Sequence, residues 1–219
     1  MSLEELQKKN PKYNIKDIYS QAFQTYGRIV NEDVDEAISY VSANVHPPQS
    51  GNCYMPSVEA LENLPSIRSL SHNVYGHLDV IAGIVFGDNN VLNGIEYHQG
   101  SETIIAVTDF VLIVGHIWDM KEQTYESSLC ECFYVPQGTV VECYGTTLHY
   151  TPVSVNKNGF RTICLLLKGT GDSLPERQGI LKKKNKWFVA HKENLEKIES
   201  GDYPGLKGEL IMIHHCDES

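Results

Sequence analysis

Glu96, His98 and Glu102 have the residue types and the spacing of a metal-binding group. Glu96 and His98 are two residues apart in a segment with strand character, so their side chains point to the same face. The turn residues Gln99-Gly100-Ser101 can then bring Glu102 back toward them. One imidazole and two carboxylates, held at about 2.0 to 2.3 Å, are suitable ligands for a divalent ion. The alternative is that two exposed charges and a surface histidine flank a tight turn.

A second pair of candidate donors, Glu142 and His149, follows further along the chain. The turn sequence Pro136-Gln137-Gly138 leads into a predicted strand that carries Glu142, and a hairpin at Gly145 returns through His149. If Glu142 lies on the inner face of its strand, it points into a barrel whose mouth also receives His149. A single histidine in a strand is more often a structural residue than a ligand. Two donor sets on adjoining strands favour a site.

The elements that must position these donors are predicted to be strands. β-rich runs alternate with turn signals over residues 81–86, 103–107, 110–114, 132–135, 139–144, 147–153 and 161–167. Seven or eight short strands at this spacing indicate an all-β fold, either an antiparallel β-barrel or a two-sheet sandwich.

The segments outside this β-rich part predict other structure. Apolar residues three to four apart predict helices over residues 15–23 and 33–45, which we expect to pack outside the barrel. The segment 46–73 is rich in proline and is predicted to be irregular, with a short helix candidate at residues 57–61. We expect one domain with three parts: a helical and irregular part (1–72), the barrel (73–168) and a C-terminal flap or oligomer contact (169–219).

Composition limits the partners and the compartment. The 219 residues carry a net charge of −10 with a pI near 5.3, which argues against nucleic acid or an anionic membrane as the main partner. No stretch is apolar over the ~18 residues of a membrane span, and the polar, acidic start does not resemble a secretion signal. We therefore expect a cytoplasmic protein. Its six cysteines lack the spacing of a disulfide framework, so we expect free thiols.

The donor arrangement resembles the cupin superfamily. That family's first motif runs His-x-His-x-x-x-Glu, and residues 96–102 are similar to it, with Glu96 in place of the first histidine. Its second motif begins Pro-x-Gly and has a histidine three residues after the glycine. Here Pro136-Gln137-Gly138 is present and Val141 occupies the histidine position, so Glu142 or His149 would fill that place. The resemblance implies a cupin-like antiparallel β-barrel, the double-stranded β-helix, with N-terminal helices and a C-terminal appendage.

Within the superfamily, the chain is similar to the ureidoglycolate lyases and to a related bacterial cupin family of unknown function. Residues 19–30 resemble the opening of the lyases, in which a phenylalanine and an aromatic-glycine pair precede a first strand. Glu96-Tyr97-His98 resembles their Glu-x-His strand, and residues 145–152 resemble their Gly-Thr-Trp-His segment. The likeness covers residues from about 19 to 168 and leaves the C-terminal part unaccounted for.

The resemblance implies a metal-dependent lyase, isomerase or epimerase acting on a small hydroxy or carbonyl metabolite, such as a sugar or a ureido acid. The predicted metal ligands are His98, Glu102 and His149. The predicted proton carriers, either of which is also a candidate fourth ligand, are Glu142 and Glu96. The predicted pocket residues are Tyr97, Tyr144 and Tyr150.

This donor set favours a harder ion, Mn²⁺ or Fe²⁺, over zinc, which stays possible. We expect a small-molecule substrate and a homodimer. Two alternatives remain: a non-catalytic cupin that binds a small sugar-like ligand through polar and aromatic residues, and a purely structural protein.

Overall fold

The computed structural model describes residues 2–48 and 50–216. Residues 1, 49 and 217–219, which include both ends of the predicted domain, lie outside the described residues. The helices are α1 (Leu3–Lys9), α2 (Asp35–Asn44), α3 (Glu59–Glu62), α4 (Pro65–Tyr75) and α5 (Leu195–Glu199). The strands are β1 (Ile15–Asp17), β2 (Gly27–Ile29), β3 (Asn52–Met55), β4 (Val80–Gly87), β5 (Gly94–Tyr97), β6 (Glu102–Ala106), β7 (Phe110–His116), β8 (Tyr125–Glu126), β9 (Glu131–Val135), β10 (Val140–Cys143), β11 (Thr147–Leu148), β12 (Val153–Ser154), β13 (Phe160–Leu167), β14 (Leu181–Lys183), β15 (Lys186–Ala190) and β16 (Leu206–Lys207).

Two sheets form the body. The first sheet has the order β1-β9-β7-β11, with β12 also paired to β7, and the second has the order β2-β10-β6-β13-β4-β3. From β6 onward the chain crosses repeatedly between them: β6 is in the second sheet, β7 and β9 in the first, β10 in the second, β12 in the first and β13 in the second. This alternation is the double-stranded β-helix of a cupin-like fold. The predicted fold class is confirmed.

The core between the sheets comes from residues that alternate along the strands. Ile104 and Val141 are opposite each other in the second sheet, Leu112 and Phe133 are opposite each other in the first, and all four are buried in one cluster. Burying side chains of this size contributes roughly 1.5 to 3 kcal/mol each. The helices α2, α3 and α4 cover the outer face of the second sheet. Residues on both faces of its central strands are therefore buried.

The predicted helix over residues 15–23 is wrong. Ile15–Asp17 is a strand that pairs in parallel with β9, and Gln21–Thr25 is a short 3-10 helix. The backbone N–H of Ile18 donates to the carbonyl of Tyr134, so the segment satisfies its polar backbone at a sheet edge. Ile15 and Ile18 are buried there, and their three-residue spacing imitated a helical stripe.

The helix predicted over residues 33–45 is confirmed as α2, whereas α4 was missed. Pro65 stands at the first position of α4, and Gly76 ends the helix in the left-handed conformation with φ of 59°. Ile67 and Leu70 lie on its buried face. Pro65 therefore begins a helix rather than preventing one.

The C-terminal part packs against the same body. Strands β14 and β15 form a hairpin, and β15 pairs with β5, with Phe188 opposite Glu96. This hairpin closes over the candidate site of its own chain. Three strands of the N-terminal part also belong to the two sheets: β1 to the first, β2 and β3 to the second. The predicted division of the domain at residues 72 and 168 stays a prediction.

The structure also bears on the expected free thiols and on the expectation that the chain has no membrane span. The six cysteines are free thiols, as predicted. In the described part of the chain, none of the helices has the length and apolar character needed to cross a membrane. The cytoplasmic location and the homodimer stay predictions.

Candidate metal centre

Four donor side chains, from Glu96, His98, Glu102 and His149, converge in the structure. The Nε2 atom of His98 is 3.3 Å from Glu102 Oε2 and 3.7 Å from Glu96 Oε1, and His149 Nε2 is 3.0 Å from Glu102 Oε2. Donor atoms of Glu96, His98 and His149 all lie within 4.8 Å of one another. All four residues are buried. The group could hold a divalent metal ion.

Local backbone structure brings these residues together. Glu96 and His149 form an isolated antiparallel bridge, in which the Glu96 N–H donates to the His149 carbonyl at 2.7 Å and the His149 N–H donates back at 2.9 Å. Gly100, with φ of +95°, then reverses the chain so that Glu102 begins β6. A Cβ at Gly100 would lie 2.8 Å from the Leu167 side chain, so glycine suits this turn in both conformation and space.

Both imidazoles are held so that Nε2 faces the carboxylates. His98 Nδ1 lies 2.9 Å from the Asn185 carbonyl oxygen, and His149 Nδ1 lies 2.9 Å from the Thr147 carbonyl oxygen. Because a carbonyl oxygen can only accept, each Nδ1 carries a proton and Nε2 is the atom left for a metal. His98 Nε2 is buried without a hydrogen-bond partner among the described residues. A cation at this position would satisfy it.

The electrostatics of the group keep its carboxylates ionised. Burial raises the pKa of Glu96, but the Lys186 ammonium at 2.9 Å and the two imidazoles outweigh it and lower that pKa to about 2. Burial likewise raises the pKa of Glu102, and His149 and His98 lower it below its usual value. Burial lowers the pKa of His98, but Glu102 and Glu96 raise it to about 10. In the metal-free protein, His98 therefore neutralises part of the carboxylate charge.

A cavity of about 670 Å³ opens beside Glu96, Glu102 and His149. Its wall includes the aromatic residues Tyr54, Tyr150 and Phe188 together with the cations Lys182 and Lys186. The volume and the mixture of apolar and polar groups suit a small-molecule ligand.

Glu142 does not lie with this group, although the sequence predicts that it points into the barrel beside His149. Glu142 is opposite Thr103 in register, and Thr103 faces α4, where it bonds to the Tyr75 hydroxyl. Glu102, on the inner face, is instead opposite Cys143. The Glu142 carboxylate accepts from Arg28 Nε at 2.5 Å and from Ser101 Oγ at 2.7 Å. Glu142 therefore stabilises the turn before β6 from the outer face of the second sheet.

We expect Glu142→Gln to keep metal binding and to lower stability. Weakening two hydrogen bonds to a buried charge should cost about 1 to 3 kcal/mol, measured by urea denaturation. The control is Glu131→Gln, which breaks the more exposed pair with Lys16 and should cost less than about 1 kcal/mol. If Glu142→Gln abolished Co²⁺ binding, Glu142 would be a ligand after all.

Of the three predicted pocket tyrosines, only Tyr150 lines the cavity. Tyr97 alternates with Glu96 along β5, so it points away and stacks on Trp187 with ring centroids 5.1 Å apart. Tyr144 follows β10 and donates its N–H to the Tyr26 carbonyl. Among the described residues, neither Tyr97 nor Tyr144 is part of the cavity wall.

Sequence reasoning missed Lys186, Asn185 and Tyr54, which contact the site or line the cavity. Lys186 and Asn185 come from the C-terminal hairpin, and Tyr54 comes from β3 in the segment predicted to be irregular. Burial raises the pKa of the Tyr54 hydroxyl, which also bonds to Cys164. The Asn185 position carried one local signal, a polar turn between two short β-rich runs.

Comparison with known proteins gives a family and a remote likeness of fold. A family model described as "Domain of unknown function (DUF4867)" matches residues 15–211. No curated protein sequence matches the chain. Solved structures with a similar fold include HygX from Streptomyces hygroscopicus with nickel, 2-oxoglutarate and hygromycin B bound (8% identity, 80% of this chain and 97% of that chain, TM-score 0.48).

Two others are EvdO2 from Micromonospora carbonacea var. aurantiaca with 2-oxoglutarate (11% identity, 75% and 89% covered, TM-score 0.45) and an 11S globulin from Wrightia tinctoria (14% identity, 56% and 26% covered, TM-score 0.33). Identities and scores this low transfer neither a ligand nor a reaction. The resemblance to ureidoglycolate lyases stays a prediction.

Proposed function

Because the chain belongs to the DUF4867 family, whose description names no reaction, we propose its function from the site itself. It is a divalent-metal-dependent enzyme that acts as a lyase, isomerase or epimerase on a small hydroxy or carbonyl metabolite. One observation carries the proposal. Two imidazoles, each anchored through Nδ1 to a backbone carbonyl, present Nε2 to two buried carboxylates beside a ligand-sized cavity.

The residues fit a metal by the chemistry of the donor set. Two imidazoles and one or two carboxylates suit Mn²⁺, Fe²⁺ or Zn²⁺. His98 and His149 are the constant members, and either Glu96 or Glu102 completes the set. When bound, the ion would polarise a carbonyl or hydroxyl oxygen of the substrate.

The side chains at the cavity supply the rest of the chemistry. The carboxylate that is not a ligand can accept a proton from the substrate at its free oxygen. Lys186 Nζ, bonded to Glu96 at the cavity wall, can donate a hydrogen bond to a substrate oxygen that gains negative charge. Tyr54, Tyr150 and Phe188 give the cavity wall an aromatic surface for such a ligand.

A second candidate is an oxygenase, and it rests on one observation. Glu96, His98 and His149 form a set of two histidines and one carboxylate, the ligand set of non-haem Fe(II) oxygenases. This reaction needs O₂, whereas lyase and isomerase chemistry does not. Oxygen uptake distinguishes the two.

We expect the purified protein to contain close to one divalent ion per chain by elemental analysis. A screen of pentoses, hexoses, their phosphates and ureido acids should then show turnover that is equal with and without O₂. Turnover only with O₂ would replace the lyase or isomerase proposal with the oxygenase. Bound metal without turnover of any compound would favour the non-catalytic binding protein, and His98→Ala is the negative control.

A further inference from the structure

Two segments far apart in sequence meet beside the His98 ring. They are the donor turn, residues 98–101, and the hairpin tip, residues 183–186, which spans the end of β14 and the start of β15. Asn185 joins the two segments by three hydrogen bonds. Its carbonyl oxygen accepts from His98 Nδ1 at 2.9 Å. Its side-chain Oδ1 accepts from the Gln99 N–H at 2.8 Å, and its Nδ2 donates to the Gln99 carbonyl at 3.1 Å.

The backbone conformation of Asn185 is the second observation. Its φ is +55°, in the left-handed region that asparagine and glycine tolerate best. The tip is also held on its other side by the segment after β13. Asn185 Nδ2 donates to Thr170 Oγ1 at 2.7 Å, and the Lys184 carbonyl accepts from the Gly171 N–H at 2.8 Å. The tip is thus fixed between the exit of the last barrel strand and the donor turn.

We propose that Asn185 is a positioning residue that sets the orientation of His98 toward the metal. The proposal rests on the proposed function, because it concerns a metal ligand. Asn185 itself is not among the residues that line the cavity. Its carbonyl oxygen fixes the proton of His98 on Nδ1, and its amide group fixes the backbone of the next residue by pairing with both polar groups of Gln99.

Glycine, aspartate and alanine would each lose part of the combination of positive φ and amide hydrogen bonds that Asn185 provides. Glycine keeps the positive φ and the carbonyl but loses the amide. Aspartate keeps an acceptor for the Gln99 N–H but loses the donors to Gln99 and Thr170. Alanine loses the amide and adds backbone strain. A variant to glycine therefore removes the side-chain contacts with the least disturbance of the hairpin.

The test compares Asn185→Gly with wild type and with Glu122→Gly. Glu122 is another non-glycine residue with positive φ, 57°, and lies in an exposed turn outside the site. Co²⁺ is titrated into each metal-free protein and followed by visible absorption. The His98 Nδ1–H signal is followed by ¹⁵N NMR of metal-free protein labelled at histidine. The melting temperature of each variant shows how much a glycine at a position of positive φ changes stability.

We expect the Kd for Co²⁺ to rise about 10- to 100-fold in Asn185→Gly, as for other groups that orient metal ligands, with no change in Glu122→Gly. The His98 Nδ1–H should exchange faster with solvent in Asn185→Gly alone, and Asn185→Asp should recover part of the Co²⁺ affinity. Wild-type affinity and exchange in Asn185→Gly would overturn the proposal, even if its melting temperature fell. If wild type bound no Co²⁺, the proposed function would fail, and the NMR exchange rates would still decide whether Asn185 holds His98.

Discussion

Replacing His98 or His149 with alanine is expected to reduce divalent-metal affinity by more than about 100-fold, beyond the loss expected when only an orienting partner is removed. Each substitution deletes an Nε2 atom that faces the buried carboxylates. No other imidazole of the described residues joins this donor group, so no second nitrogen ligand replaces the lost one. Activity on any identified substrate should disappear with the ion.

The measurement is Co²⁺ or Mn²⁺ titration by calorimetry, with elemental analysis of the protein as purified. His72→Ala is the matched control, because His72 is exposed on α4 and stacks on His77, outside the donor group. Circular dichroism must show that the variants fold. Full activity of both His98→Ala and His149→Ala would end the metal mechanism, and the cavity would then have to work through hydrogen bonds alone.

A further pair of variants decides between the two possible carboxylate ligands. The sequence predicts Glu102 as the ligand, whereas the mutual distances group Glu96 with the two histidines. Glu102 Oε2 nevertheless lies 3.3 Å from His98 Nε2 and 3.0 Å from His149 Nε2, whereas Glu96 Oε1 is 3.7 Å from His98 Nε2. Comparing Glu96→Gln with Glu102→Gln in the same titration identifies the ligand as the one whose loss removes the ion.

The first donor cluster could be predicted because its geometry is local. Two residues with period-2 spacing share a face, and a glycine turn returns the chain within a few residues. Glu96, His98 and Glu102 needed no knowledge of distant contacts. His149 was predictable as a candidate, but its bridge to Glu96 is a long-range pairing.

The face of Glu142 could not be predicted from its strand. A shift of one residue moves every side chain of a strand to the opposite face, and an alternating pattern normally reveals which face is buried. Here β10 is buried on both faces, because α2 to α4 cover the outer side of the second sheet. The pattern Val140-Val141-Glu142-Cys143 therefore shows no alternation that would reveal the inner face.

Asn185 and Lys186 were missed for another reason, since sequence spacing does not reveal which hairpin will close over a site.

Replacing Lys186 with methionine is expected to change metal affinity and turnover in opposite directions. Lys186 Nζ bonds to Glu96 Oε1 at 2.9 Å, inside the donor group. Burial lowers the pKa of Lys186, but Glu96 raises it above its ordinary value, so the side chain is a cation. The Lys186 ammonium and a divalent ion ~5 Å apart would repel each other by about 7 kcal/mol at an effective dielectric constant of ~20. Removing the ammonium should therefore tighten Mn²⁺ binding by about 100-fold or more, since about 1.4 kcal/mol is tenfold in affinity.

Turnover should fall in the same variant by about 10² to 10³, the usual effect of losing one donor to a developing oxyanion. Lys182→Met is the matched control, because Lys182 lines the same cavity but its ammonium bonds to Asp202. That variant should change Mn²⁺ affinity less than Lys186→Met. If Lys186→Met instead bound Mn²⁺ more weakly, the ammonium would serve mainly to hold Glu96 in place. If affinity rose and turnover were unchanged, the substrate oxygen would take its hydrogen bond elsewhere on the cavity wall, with the Tyr54 and Tyr150 hydroxyls as the next donors to test.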